Sequence, residues 1–203
     1  MFYPYSPLTE EIDVLGSRFL ASLYPLEAKE DVKRYLLETK EKFPKATHYP
    51  YAFRILPFEG MGDDGEPKGS TGLPLLEALR LKEADKVLVV VTRYFGGTKL
   101  GLSRLTRTYR EALLNVLLKS EPSVLVPSLV TKVKTSYGFF EVLKKECHRL
   151  GVEIKEPQFQ MSVELKLEGD AKIIESLLSS HESEVQVLSK ESKVIRRKKY
   201  ESE

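Results

Sequence analysis

A continuous apolar run, Val87-Leu-Val-Val-Val91, leads through Thr92 and Arg93 into Tyr94-Phe-Gly-Gly-Thr-Lys-Leu-Gly101. A strand that ends in glycines and precedes a helix offers backbone N–H groups and the positive end of the helix dipole to an anion. Lys99 adds a mobile cation. The spacing of Gly96 and Gly101 is that of a P-loop, but Leu102-Ser103 stand where Lys-Ser or Lys-Thr must follow, so a Walker motif is excluded. Residues 93–101, with Gly96 and Gly97 at the bend, therefore read as an anion-binding loop. The alternative is a turn whose glycines only let strand meet helix.

Two neighbouring patterns bear on that choice. Arg104, Arg107 and Arg110 recur every third residue on a predicted helix, and no acid occurs from Arg93 through Arg110. Such a face can be merely solvated, or it can follow a nucleic-acid backbone. Upstream, Asp63, Asp64 and Glu66 place three carboxylates in four residues, enough to hold Mg²⁺ or to supply a general base. They lack the alternating oxygen ligands and distal glutamate of a calcium loop, and can equally form a solvated turn or pair with arginines. His48, His148 and His181 are scattered without metal-ligand spacing, and no G-x-S-x-G elbow is present.

The bulk composition limits where chemistry can reside. With 203 residues, 41% hydrophobic and 31% charged, the chain reads as one large or two small globular domains. A formal net charge of +2 excludes a global basic excess, so any electrostatic site is local. The single cysteine, Cys147, rules out an internal disulfide and any cysteine-rich zinc site. No apolar run reaches the ~20 residues that span a bilayer, and the N-terminus lacks a secretion-signal pattern; the expected location is the cytoplasm.

The elements that would position these residues follow from periodicity. A strand is expected over 17–26, a helix over 29–43 and a strand over 49–56. The segment 60–72 is too rich in glycine and acid for regular structure. A short helix follows it, capped by Ser70 or Thr71, with Pro74 in its first turn and Leu75, Leu76 and Leu79 inward. Val87 to Val91 form a strand buried on both faces, and a helix over 102–118 turns Leu102, Leu105, Tyr109, Ala112, Leu113 and Val116 inward. Pro122 and Pro127 bracket a linker.

Beyond it, strands over 128–137, 152–159 and 161–168 and a last one near 185–188 alternate with helices closed by Gly151 and capped by Asp170. That order, βαββαβ, is ferredoxin-like. An RNA-recognition module of this topology stacks bases on aromatics of its open sheet face, whereas the outward positions here are Lys132, Lys134, Glu164 and Lys166. Arg196-Arg-Lys-Lys199 reads as a solvated tail.

Asp63-Asp-Gly-Glu-Pro67, Gly69-Ser-Thr-Gly72 and Val91-Thr-Arg-Tyr-Phe-Gly-Gly-Thr-Lys-Leu-Gly101, with Ala46-Thr-His48 and Ser17-Arg-Phe19, resemble the signatures of the YigZ and IMPACT family. The resemblance spans residues 17–112. It implies an α+β protein: a domain over 1–125 like the second domain of ribosomal small-subunit protein five, then a ferredoxin-like domain over 126–203. It also implies association with the translation apparatus, since the family's eukaryotic members regulate translation. Two departures stand out. Gly101-Leu-Ser-Arg104 replaces the family's small residues and glycines, and Arg104-Leu-Thr-Arg107-Thr-Tyr109 stands near its Arg-Ala-Tyr element, shifting anion binding toward side chains.

The expected function is therefore a noncatalytic, translation-associated protein that binds RNA or the ribosome through Arg93, Gly96, Gly97, Lys99, Arg104, Arg107 and Arg110, without a cofactor or a membrane. Two alternatives stay open. One is an enzyme acting on phosphate esters or nucleotides, with Mg²⁺ held by Asp63, Asp64 and Glu66. The other is a protein-binding adaptor.

Overall fold

The computed structural model describes residues 1–199, so the end of the second expected domain, 200–203, lies outside the described residues. The chain forms two compact units, Met1–Val124 with Lys198, and Leu125–Arg197. Both are α+β.

The first unit opens with β1 (Tyr3–Pro4), β2 (Leu8–Val14) and β3 (Ser17–Pro25), followed by α1 (Asp31–Lys42), β4 (Tyr51–Ile55) and β5 (Phe58–Gly62). Then come α2 (Gly72–Leu81), β6 (Val87–Tyr94) and α3 (Leu102–Lys119). Strands β2-β3-β6-β4-β5 make one sheet, antiparallel throughout. The apolar run in β6 has a simple cause. Val87, Val89 and Val91 pack into the core under α2 and α3, while Leu88 and Val90 belong to a second core with Val32 of α1, so both faces are covered.

Sequence and structure part at several points. β2 was not expected, because Thr9, Glu10, Glu11 and Asp13 mask its pairing with β3. The glycine- and acid-rich segment does begin as regular structure: Gly60 and Gly62 lie in β5 opposite Phe53 and Tyr51. A Cβ at either position would come within 2.4 or 2.5 Å of the facing ring, so glycine here makes room for the aromatic cover. Leu102 is not inward; it is 61% exposed at the start of α3.

The second unit comprises most of β7 (Pro122–Thr135), then α4 (Tyr137–Leu150), β8 (Glu153–Phe159), β9 (Val163–Asp170), α5 (Ala171–Ser180) and β10 (Val185–Lys198). Its strand order, β10-β7-β9-β8, is the ferredoxin-like one. Gly151, at φ +67°, closes α4, and the Asp170 carboxylate caps α5 by accepting from Lys172 N and Ile173 N. The expected linker is strand instead: β7 runs continuously through Pro122 and Pro127. Met161 lies outside β9 and is fully exposed, and residues 196–198, expected as a tail, are paired within β10.

On the sheet face, Lys132 pairs with Glu164 and Lys166 with Glu156, while Glu168 takes both Lys155 and Lys193. An ion-paired face offers no platform for base stacking. Cys147 sits in the core of this unit, where burial pushes its thiol up to about 11. No helix among the described residues is long and apolar enough to cross a membrane.

Candidate functional site

The bend that follows β6 is shaped first by packing. Gly96 lies so close to the turn between β2 and β3 that a Cβ would fall 1.9 Å from the Gly16 carbonyl oxygen, and its N–H donates to Ser17 Oγ. Gly96 is thus a backbone-contact glycine. Gly97, at φ +88°, has open space beside it. Phe95 is anchored through its N–H to Thr47 Oγ1, leaving its ring 45% exposed. Lys99 is exposed, and Gly101 precedes α3 without any side-chain cap.

The cations expected at the site divide into two groups. Arg93 is 6% exposed and faces inward: Nη1 donates to Glu66 Oε1 at 2.7 Å, and Tyr109 donates its hydroxyl to the same oxygen at 2.7 Å. The guanidinium lies 5.3 Å from the Phe19 ring centre and 5.4 Å from that of Phe95. Arg93 is therefore a correction to the expected set, since its charge is matched internally. Burial and the adjacent Glu66 carboxylate raise the Tyr109 phenol far above its ordinary value, so it stays a donor. By contrast Lys99, Arg104, Arg107 and Arg110 are exposed, and none makes an ion pair among the described residues.

The three clustered carboxylates do not converge. Asp63 accepts from Gly69 N, Thr71 N, Thr71 Oγ1 and Gly72 N, and so caps α2 in place of the expected Ser70 or Thr71. Burial works to raise its pKa, but these hydrogen bonds outweigh it and hold the carboxyl below its ordinary range. Asp64 accepts from Tyr49 N at 2.8 Å and pairs with Lys40, while Glu66 turns to Arg93. The Mg²⁺ site of the enzyme alternative is not assembled from these residues. No cluster of His, Cys, Asp or Glu suited to a metal occurs among the described residues.

Two clefts adjoin at the start of α3. An open one of about 660 Å³ is lined by Leu100, Gly101, Leu102, Arg104, Arg107 and Glu111. A second, of about 410 Å³, shares Leu100, Gly101 and Leu102 and adds His48, Glu66, Arg93, Phe95, Lys99 and Leu105. The sequence names His48 only as a scattered histidine and a motif residue and Phe95 only as part of the loop 93–101, and marks neither as a site residue. His48 is brought in by an isolated bridge to Arg93, a long-range pairing that local periodicity does not reveal. His48 Nδ1 lies 2.9 Å from the Asp64 carbonyl oxygen, which can only accept, so Nδ1 carries the proton, and it is Nε2 that holds the lone pair of this tautomer when the ring is neutral.

The Impact N-terminal domain family matches residues 15–117. An IMPACT family member of Haemophilus influenzae is 32% identical over 181 residues, covering 87% of this chain and 88% of its own. YvyE of Bacillus subtilis, also an IMPACT family member, is 30% identical over 161 residues, 77% of this chain and 73% of its own. A crystal structure of a hypothetical protein matches 93% of this chain and 96% of that one at 23% identity, with a TM-score of 0.61, a likeness of fold.

Proposed function

Because the chain belongs to the IMPACT family, whose N-terminal domain it carries, we propose that it is a noncatalytic, translation-associated regulator that binds RNA or the ribosome through Lys99 and the arginine row of α3. One observation carries this reading. Lys99, Arg104, Arg107 and Arg110 stay exposed and unpaired among the described residues, while Arg18, Arg34, Arg54 and Arg80 all engage carboxylates. Three successive arginines at helical spacing, with a lysine on the preceding loop, suit a polyanion. The translation setting is supported by the family resemblance.

The test is binding of ribosomal RNA fragments at fixed salt by the wild type and by Arg104→Glu with Arg107→Glu. Both positions are exposed, so the fold tolerates the change. The reversal is expected to weaken binding at least tenfold with an unchanged circular-dichroism spectrum. Affinity that survives the reversal removes the α3 face from the interaction.

A further inference from the structure

The cleft beneath Phe95 has features that backbone neutralisation alone does not require. Phe95, Leu100, Leu102 and Leu105 give it apolar walls, while Glu66 and His48 give it polar ones. Two of its polar groups, Glu66 and His48, offer hydrogen-bond acceptors, beside the donors Lys99 and Arg93, whose Nε is buried without a partner among the described residues. The Glu66 carboxylate is held by Arg93 and Tyr109 through Oε1, and Oε2 accepts no hydrogen bond among the described residues. With Nδ1 committed to the Asp64 carbonyl, the neutral tautomer of His48 offers Nε2 as the second acceptor.

Phe95 completes the arrangement as a platform, pinned through its backbone to Thr47 and 45% exposed. The Arg93 guanidinium packs near its ring at 5.4 Å. The cleft also shares Leu100, Gly101 and Leu102 with the open cleft that Arg104 and Arg107 line, and Lys99 lines it too. A strand whose phosphates lie along α3 can thus place one nucleotide at its entrance.

We infer that this cleft takes a single unstacked base of single-stranded RNA, and that guanine suits it best; the inference rests on the RNA-binding reading of α3. Unstacked bases are read by stacking on an aromatic ring and by hydrogen bonds to their edges. Guanine presents two adjacent donors, N1–H and the N2 amino group, on its Watson–Crick edge. No other base presents two adjacent donors there, so each would set a lone pair against Glu66 or His48. A site whose buried polar groups need particular partners discriminates against ligands that lack them.

The experiment measures fluorescence anisotropy of the full chain with short uridine oligonucleotides carrying one central guanosine, one central adenosine or neither, and with an RNA duplex. The guanosine oligonucleotide is expected to bind about tenfold more tightly than the other two. Phe95→Ala is expected to weaken single-stranded binding about tenfold while leaving the duplex unchanged. Glu66→Gln is expected to erase the guanosine preference. Should that variant fail to fold, guanosine monophosphate added to the wild type supplies the readout, shifting the His48 ring signals in NMR where uridine monophosphate does not.

Equal affinity for all three oligonucleotides, with Phe95→Ala silent and the Arg104→Glu, Arg107→Glu reversal still damaging, overturns the base pocket and leaves the α3 reading standing. RNA affinity indifferent to the reversal, or absent in the wild type, overturns both.

Discussion

At the residue scale, the pair Glu66 and Arg93 governs how the site behaves. Their side chains are 4% and 7% exposed, so each charge depends on the other for its solvation. Glu66→Ala would leave the guanidinium buried without a counter-charge, and is expected to lower stability by about 3–5 kcal/mol. The measurement is the urea midpoint, with the slope of the transition checked for change. Replacing both residues with apolar ones of similar volume should recover much of that loss, because a buried ion pair is often no more stable than a well-packed apolar substitute. The sequence showed Arg93 as one more cation in a basic stretch. Its partner lies 27 positions away, and no local pattern marks which arginine folds inward.

At the element scale, Asp63 is the group that starts α2, reaching Gly69, Thr71 and Gly72 from the end of β5. Its carboxyl is held below the ordinary value, so the native state favours the ionised form. The stabilisation is then fully present above the unfolded pKa and disappears as pH falls through the lowered native one. Asp63→Ala is expected to cost about 1–2 kcal/mol near neutral pH. It should also flatten the acid limb of a plot of stability against pH, measured by urea unfolding across the acidic range. The helix itself was legible from Pro74, Leu75, Leu76 and Leu79, but its cap was not. Ser70 and Thr71 have the right chemistry in the right place, and the three-dimensional return of the chain gives the role to a residue eight positions before Thr71. β7 teaches the same lesson in reverse: Pro122 and Pro127 break local propensity, while pairing with β1 and β9 keeps the segment extended.

At the scale of the whole molecule, a formal net charge of +2 means that affinity for a polyanion has to come from a few local contacts. If Lys99, Arg104, Arg107 and Arg110 each neutralise one phosphate of a single strand, the logarithm of affinity should fall with the logarithm of salt at a slope of about −3. Reversing Arg104 and Arg107 should roughly halve that slope, which a salt series in the anisotropy experiment measures. Both α+β units and the βαββαβ order were readable because alternation and helical spacing are strong signals in β9, α3 and α4. The cleft was not readable, since it exists only where His48, Glu66, Phe95 and Leu102 meet across three separate stretches of chain.

The burial of Cys147 has a practical consequence. The chain's single sulfhydryl is buried and little ionised near neutral pH, so maleimides and disulfide reagents should pass it by in the native protein. A cysteine introduced at an exposed α3 position such as Ser103 would then be the one reactive handle, letting a fluorophore or spin label be attached beside the arginine row without first removing a native thiol.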